Sequence, residues 1–290
     1  MEILTICLMI AVLILSVYLE SRRELNTLRV TTYEVSDKKV PEWMKGKNIV
    51  FLSDFHEAEK GAINEKILKE VKTAAPELVI IGGDLVNGSE SPDRITPAKD
   101  LINALGRDYT VLYAFGNHER KMDEDFYGTK DLWESFTDSF SENVHILRNE
   151  KYDVSSEEGK GIISIYGLDL PLKYYGRVRF PKPDAGMIED MLGTPDKESY
   201  NILLGHAPDF AKSYGEWGAD MVLAGHFHGG MVRLPLLGGV ISPRLRPFPK
   251  YDYGVYECGL GKMYVTNGLG QHSMSIRINN IPEIVVIKFR

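Results

Sequence analysis

The chain has 290 residues, of which 43% are hydrophobic and 26% are charged, and its formal net charge is -7 at pH 7. This composition is that of a folded chain able to bury a large core, and it shows no basic bias. The acidic balance argues against nucleic acid as a partner, because domains that bind a nucleic-acid backbone carry an excess of basic residues.

The first predicted element is a membrane anchor at the N-terminus. Residues 3–19 form a run without a single charge. As a helix this run would be about 25 Å long, and it can cross a hydrocarbon core of about 30 Å with some local thinning. A cleaved signal peptide is the competing interpretation, but the chain lacks the basic start and the small-residue cleavage site of such peptides. We therefore expect residues 1–20 to be an uncleaved, single-pass anchor in the cell membrane.

The residues after the anchor set its orientation and lead into the domain. Arg22 and Arg23 directly follow the apolar run. By the positive-inside rule they place the rest of the chain in the cytoplasm, although two arginines leave an extracytoplasmic orientation open. We expect residues 21–46 to be a polar stalk with an edge strand at residues 28–35, and residues 47–290 to be a single domain.

Five apolar segments of this domain each end in residue types that bind metals. Short aliphatic segments bounded mostly by glycine are typical of strands buried on both faces. Because such strands end at one edge of an α/β sheet, the polar residues that follow them are expected to converge there. The segments are residues 48–56, 77–84, 109–118, 200–206 and 220–228.

Helix-like segments lie between the strands, at residues 65–74, 98–105, 130–140 and 208–214. The alternation of strand and helix in the first half predicts a mainly parallel sheet with helices on its outer side. After Phe140 shorter strands dominate, at residues 144–147, 162–166, 254–258, 262–266 and 284–289. The sequence therefore predicts an α/β fold in which a second sheet packs on the first.

The polar residues at the strand ends form a ligand set for two metal ions. Asp54 and His56 are two residues apart, so that at the end of an extended strand they project to the same side. A carboxylate, an amide and three imidazoles follow, at Asp84, Asn117, His206, His226 and His228. Seven such ligands are too many for one tetrahedral zinc and suit two divalent ions bridged by a carboxylate. Two ions about 3.5–4 Å apart can stabilise the attacking and leaving oxygens of a phosphoryl displacement.

Five short motifs follow one another along the domain. They read D-x-H at residues 54–56, G-D at 83–84, G-N-H-E at 116–119, G-H at 205–206 and G-H-x-H at 225–228. This series resembles that of the calcineurin-like metallophosphoesterase family, whose fold is a two-sheet β-sandwich flanked by helices. The resemblance implies two divalent ions, and Mn, Fe and Zn all suit ligands of these types. It implies that Asp54, His56 and His228 hold the first metal, that Asp84 bridges, and that Asn117, His206 and His226 hold the second.

The same resemblance implies that His118 contacts the phosphate and protonates the leaving oxygen. Within the family, the short anchored chain, the stretch GHFHGGMVRLP and the ending NNIPEIVVIKF are similar to the membrane-anchored YkuE/YaeI-like branch. That branch implies cleavage of phosphodiester or pyrophosphate bonds in membrane-linked substrates such as UDP-diacylglucosamine. Phe227 and Met231 replace the threonine and glutamine that are usual there, which leaves the metal ligands unchanged but bears on the substrate.

The sequence thus predicts a two-metal phosphohydrolase, namely a phosphodiesterase or pyrophosphatase that acts on lipid-linked substrates through a metal-bridging hydroxide. One alternative is a phosphomonoesterase for phosphoproteins or small molecules, in which the anchor only fixes the location. A second alternative is a membrane scaffold that binds metals without turnover, and the intact His118 argues against it.

A few other residues have competing interpretations. Glu119 is expected to cap or orient His118, and Arg233 either binds a substrate phosphate by bidentate contact or is an ordinary surface residue. His272 either lines the cleft or is a loop histidine. Basic residues mix with aromatic ones in residues 244–256, which suits a lipid headgroup layer near the anchor as well as packing under a loop.

Overall fold

The computed structural model describes residues 2–56, 63–88, 91–157, 159–176, 180–242, 247–270 and 276–290. His272 and the segment 243–246 of the basic and aromatic stretch lie outside the described residues, so the interpretations of them stay predictions. The helices are α1 (Glu2–Leu25), α2 (Asn64–Ala74), α3 (Pro92–Asp108), α4 (Asn117–Asp123), α5 (Lys130–Thr137), α6 (Ala185–Leu192) and α7 (Ala211–Trp217).

The strands run through the whole domain. The first seven are β1 (Arg29–Val35), β2 (Asn48–Leu52), β3 (Leu78–Ile81), β4 (Val111–Ala114), β5 (Val144–Leu147), β6 (Glu150–Val154) and β7 (Ile163–Gly167). The others are β8 (Tyr200–Leu204), β9 (Met221–Ala224), β10 (Arg233–Leu234), β11 (Gly238–Gly239), β12 (Gly254–Cys258), β13 (Gly261–Val265) and β14 (Glu283–Phe289).

Two six-stranded sheets form the centre of the domain. The first has the order β1-β14-β2-β3-β4-β5 and the second the order β12-β13-β9-β8-β7-β6, while β10 and β11 form a separate hairpin. In the first sheet β2, β3, β4 and β5 are parallel, and in the second β7, β8 and β9 are parallel. The carboxyl ends of the parallel strands therefore lie together at one edge of each sheet.

Apolar side chains fill three layers around the two sheets. Phe51, Ile80, Ile165 and Leu223 belong to the buried cluster between the sheets. A second cluster joins the first sheet to α2, α3 and α5, and a third joins the second sheet to α6 and α7. Because both faces of the central strands are covered, strands such as β3, with the sequence LVII, are apolar throughout rather than alternating.

The predicted two-sheet α/β fold flanked by helices is confirmed by this arrangement. Strand β6 and the hairpin β10–β11 were not predicted, because their sequences lack a continuous apolar run. Helix α3 begins six residues earlier than expected, at Pro92, since proline is well tolerated in the first turn of a helix.

Helix α1 combines an exposed apolar part with a buried end. By length and composition α1 is able to cross a membrane, and its apolar side chains are exposed. Its last turn differs, because Ser21 and Glu24 are buried against the domain. Residues 21–46, predicted to be a stalk with an edge strand, contain the end of α1 and all of β1, and β1 pairs with β14 at the edge of the first sheet. The polar residues after the apolar run therefore pack on the domain instead of leading away from it.

Candidate metal centre

The seven predicted metal ligands come from loops at the carboxyl ends of five strands. Asp54 and His56 follow β2, Asp84 follows β3, and Asn117 follows β4 at the start of α4. The three histidines follow the strands β8 and β9 of the second sheet, at His206, His226 and His228. The ligand atoms form three groups, each within 4.8 Å: Asp54 with His56 and His228, Asp84 with His206 and His226, and Asp84 with His56 and His118. The centre thus lies where the edges of the two sheets meet.

The carboxylate of Asp84 lies between His56, which is in the group of Asp54, and His206, which is in the group of His226. Its Oδ2 is 3.6 Å from Nε2 of His56 and 3.0 Å from Nε2 of His206. The second buried carboxylate is that of Asp54, whose Oδ1 is 3.4 Å from Nε2 of His228. A carboxylate that lies close to both His56 and His206 could be shared by two ions.

Five of the predicted ligands have backbone conformations that are rare for residues other than glycine. Their φ angles are 51° for Asp54, 38° for His56, 51° for Asp84, 68° for His226 and 50° for His228. Left-handed φ angles in residues with a side chain cost free energy and occur mainly where the surroundings hold them for a function. This strain supports a functional role for the cluster.

Two glycines make room for the carboxylates. A Cβ at Gly116 would lie 2.2 Å from Oδ1 of Asp84, and a Cβ at Gly225 would lie 2.1 Å from Oδ2 of Asp54. Either contact is far too short for any side chain, so only glycine allows the loops to approach the carboxylates this closely. The glycines that precede Asn117 and His226 in the motifs are therefore required by packing.

Backbone groups orient the ligand side chains. The amide of His226 donates to both carboxylate oxygens of Asp54, at 2.9 and 3.1 Å. Nδ1 of His206 donates to Gly82 O at 2.8 Å, and Nδ1 of His228 donates to Gly270 O at 3.2 Å. Because carbonyls only accept, these bonds make Nε2 the lone-pair nitrogen of each ring when it is neutral, as in most histidine metal sites.

The electrostatics of the cluster favour bound positive charge. Burial raises the pKa of Asp54 to about 6. Burial alone would raise the pKa of Asp84, but the nearby histidines, His206 foremost, hold it well below its usual range. Burial alone would lower the pKa of His206, but Asp84 and then Asp54 raise it to about 9. The carboxylates thus stabilise cationic charge, and divalent ions can take the place of the protons.

The chemistry of the donor set fits divalent metals. Imidazole nitrogens and carboxylate oxygens are the ligands that Mn, Fe and Zn share. Oδ1 of Asn117 is buried and accepts no hydrogen bond from the described part of the chain. A buried amide oxygen normally has a donor, and a cation can satisfy it instead. A binuclear divalent metal centre is therefore what these residues can hold.

His118 lies beside this centre, with its ring 5.0 Å from that of His56. The amide of Gly88 donates to Nδ1 of His118 at 2.9 Å. Because an amide N–H can only donate, the proton of the neutral imidazole is on Nε2. His118 can therefore donate a hydrogen bond from Nε2 while Gly88 holds its orientation.

Glu119 has more partners than the sequence indicated. Its carboxylate accepts hydrogen bonds from the amides of Asp84 and Leu85, at 2.9 and 2.7 Å, and from that of Gly116 at 2.8 Å. The hydroxyl of Tyr113 donates to it at 2.7 Å. Glu119 thus joins the loop of Asp84 to the loop of Asn117, and no local sequence signal indicates this role beyond its position in the G-N-H-E motif.

Two further side chains border the centre. The ring of Tyr175 is half-buried and lies 5.6 Å from that of His226, a contact that the sequence did not indicate. Nη1 of Arg233 donates to Gly229 O at 2.7 Å and to Oδ2 of Asp252 at 2.8 Å. These contacts give Arg233 a structural role beside His228, and its binding of a substrate phosphate stays a prediction.

Comparison with known proteins identifies chains that are similar to this one. A profile of the calcineurin-like phosphoesterase family matches residues 47–230. The metallophosphoesterase YkuE of Bacillus subtilis (strain 168) is 26% identical over 279 residues, which cover 92% of this chain and 87% of YkuE. The phosphodiesterase YaeI of Escherichia coli (strain K12) is 24% identical over 243 residues, which cover 83% of this chain and 81% of YaeI.

Two other matches extend the comparison. A protein of Danio rerio, named transmembrane protein with metallophosphoesterase domain, is 29% identical over 269 residues, which cover 89% of this chain and 56% of that protein. The structure of the NAD nucleotidase NadN of Haemophilus influenzae matches with a TM-score of 0.50 at 16% identity, over 77% of this chain and 45% of the NadN chain. At 16% identity this match shows a similar fold and nothing about activity.

Proposed function

The chain belongs to the calcineurin-like phosphoesterase family and is a metal-dependent phosphoester hydrolase, and from this premise we propose that it is a phosphodiesterase or pyrophosphatase for lipid-linked substrates. The hydrolytic activity in this proposal rests on the position of Asp84, whose Oδ2 lies 3.6 Å from Nε2 of His56 and 3.0 Å from Nε2 of His206. A centre built around a shared carboxylate suits displacement at phosphorus.

Each ligand has one role in this proposal. Asp54, His56 and His228 would hold the first ion, Asn117, His206 and His226 would hold the second, and Asp84 would be shared by both. When bound, the two ions supply an activated water at neutral pH and neutralise charge on the phosphate. The buried surroundings of Asp54 and Asp84 exclude bulk water, which strengthens every electrostatic interaction with the phosphate.

The membrane part of the proposal depends on α1. Residues 1–20 anchor the chain in the cell membrane as a single span, and Arg22 and Arg23 favour a cytoplasmic domain. Support comes from the length and apolar composition of α1 and from the transmembrane relative in Danio rerio. An enzyme held at the bilayer meets lipid-linked phosphodiesters and pyrophosphates at high local concentration.

The substrate class is tested with the full chain in detergent and added Mn²⁺. Three substrates are compared by kcat/KM: a nitrophenyl phosphodiester, a nitrophenyl phosphomonoester, and a diacyl lipid joined to a nucleotide by a pyrophosphate. We expect the lipid to be preferred and the diester to exceed the monoester. Preference for the monoester would instead identify a phosphomonoesterase, and metal-loaded protein inactive on all three would indicate a scaffold.

His118 gives a prediction about the transition state. In the proposal, Nε2–H of His118 donates to a phosphate or leaving oxygen, with Gly88 bonded to Nδ1. Replacing His118 with alanine is expected to lower kcat about 10²–10³-fold, the usual cost of losing such a donor. His118→Gln, whose amide nitrogen can occupy the place of Nε2, should recover at least about tenfold of that loss.

The measurement is kcat on the nitrophenyl diester, with metal content determined in parallel. Both variants should bind as much Mn²⁺ as the unaltered chain, because His118 is not one of the proposed ligands. Equal rates for the alanine and glutamine variants would show that proton transfer, rather than hydrogen-bond donation, is the role of His118.

A further inference from the structure

The last turn of α1 is hydrogen-bonded to a loop behind the metal centre. Oε1 of Glu24 accepts the amide of Asn279, and Oε2 accepts the amide of Asn280, both at 2.8 Å. Oγ of Ser21 accepts the amide of Arg277 at 3.0 Å. Ser21 and Glu24 are each only 2% exposed. Two polar side chains near the end of the anchor helix, those of Ser21 and Glu24, therefore accept hydrogen bonds from the backbone of the domain.

A first chain of hydrogen bonds runs from Glu24 to His228. Glu24 fixes the backbone of Asn280, whose side-chain amide Nδ2 donates to His228 O at 2.7 Å. His228 has a left-handed φ of 50°, a conformation that its surroundings must hold. Asn280 is one of the groups that hold it.

A second chain starts at Ser21 and reaches the same ligands. Arg277 is fully buried, and its Nη2 donates to Gly270 O at 2.6 Å. Gly270 O also accepts from Nδ1 of His228 at 3.2 Å, and the amide of Gly270 donates to Asp54 O at 2.7 Å. Both chains thus end at His228 or Asp54, two of the three residues assigned to the first ion.

We infer that Glu24 is a positioning residue for the first metal ion, and that the end of the anchor helix is part of the framework of the metal centre. The inference rests on the ligand assignment under the proposed function. Groups that orient metal ligands from behind change metal affinity when they are lost, typically about 10–100-fold. Glu24 would act in this way through Asn280, although it lies in the helix that carries the membrane span.

The test uses the full chain in detergent, with Glu24→Ala and the matched control Glu20→Ala. Glu20 lies one turn earlier on the same helix, and its side chain is 42% exposed and pairs with Arg23. Binding of Mn²⁺ is followed by titration calorimetry and by electron paramagnetic resonance, which detects coupling between two ions. In Glu24→Ala we expect one of the two sites to weaken about 10–100-fold while the other keeps its affinity. Glu20→Ala should change neither site.

Two reference variants identify the weakened site. His228→Ala removes a ligand of the first ion and His206→Ala a ligand of the second. The inference holds if Glu24→Ala weakens the site that His228→Ala removes, with Glu24→Gln intermediate because its amide keeps one acceptor. It is overturned if Glu24→Ala leaves both affinities unchanged or weakens both equally.

A second variant keeps the test decisive if Glu24→Ala fails to fold. Ser21→Ala loses the bond from the amide of Arg277, and it should weaken the same site to a smaller extent. Unchanged affinity in a folded Ser21→Ala protein would then overturn the inference. An unaltered chain that binds fewer than two Mn²⁺ ions would refute the two-metal function itself, an outcome separate from any effect of Glu24.

Discussion

Replacement of Asp84 by asparagine is expected to abolish metal-dependent hydrolysis, with a fall in kcat/KM of about a thousandfold or more. Oδ2 of Asp84 lies close to a histidine assigned to each ion, at 3.6 Å from Nε2 of His56 and 3.0 Å from Nε2 of His206. An amide has one acceptor oxygen and no charge, so it can neither bridge two cations nor balance their charge. Activity is measured on a nitrophenyl diester, and bound metal by mass spectrometry.

The matched control for this variant is Asp220→Asn. Asp220 precedes β9 at the end opposite His226, and it forms an ion pair with Lys39 and accepts from the amide of Asn201. Asp220→Asn should lower the melting temperature while kcat/KM and metal content stay within about twofold, because this part-buried pair stabilises the domain and contacts none of the predicted metal ligands. An Asp84→Asn protein with the metal content and activity of the unaltered chain would refute the bridge.

Replacement of Glu119 by glutamine is expected to destabilise the domain by about 3 kcal/mol and to lower kcat/KM about 10–100-fold. Burial, followed by the proximity of Asp84, raises the pKa of Glu119 to about 7, while hydrogen-bond donors directed at both of its oxygens favour the ionised form. In the glutamine variant, an NH₂ group replaces one oxygen and meets N–H donors instead of acceptors. The loops of Asp84 and Asn117 would then lose their common partner.

The measurement combines thermal unfolding with kinetics on the nitrophenyl diester. Glu124→Gln is the control, since Glu124 directly follows α4, the helix that contains Glu119, and its side chain forms a partly exposed pair with Arg120. We expect this control to unfold within a few tenths of a kcal/mol of the unaltered chain. If Glu119→Gln were equally mild, the joining role assigned to Glu119 would be wrong.

The amino-acid sequence by itself determined the class of the site. Apolar segments that end in ligand residues predict strands whose carboxyl ends meet, because buried parallel strands are continuous in hydrophobicity and end at one edge. Asp54, Asp84 and Asn117 follow neighbouring strands of the first sheet for this reason. The binuclear character followed from the number and chemistry of the ligands, which are local properties of the chain.

Only the tertiary structure decided how the two sheets bring their ligands together. The bond from the amide of His226 to Asp54 joins residues 172 positions apart, and no period or propensity in the chain encodes it. The same holds for the carboxylate of Glu119, which satisfies donors from two loops, and for Glu24, which a hydropathy profile places at the end of a membrane helix. Buried polar groups must find partners, but which partners they find depends on where the folded backbone places them, and that is a property of the packed structure and not of the local sequence.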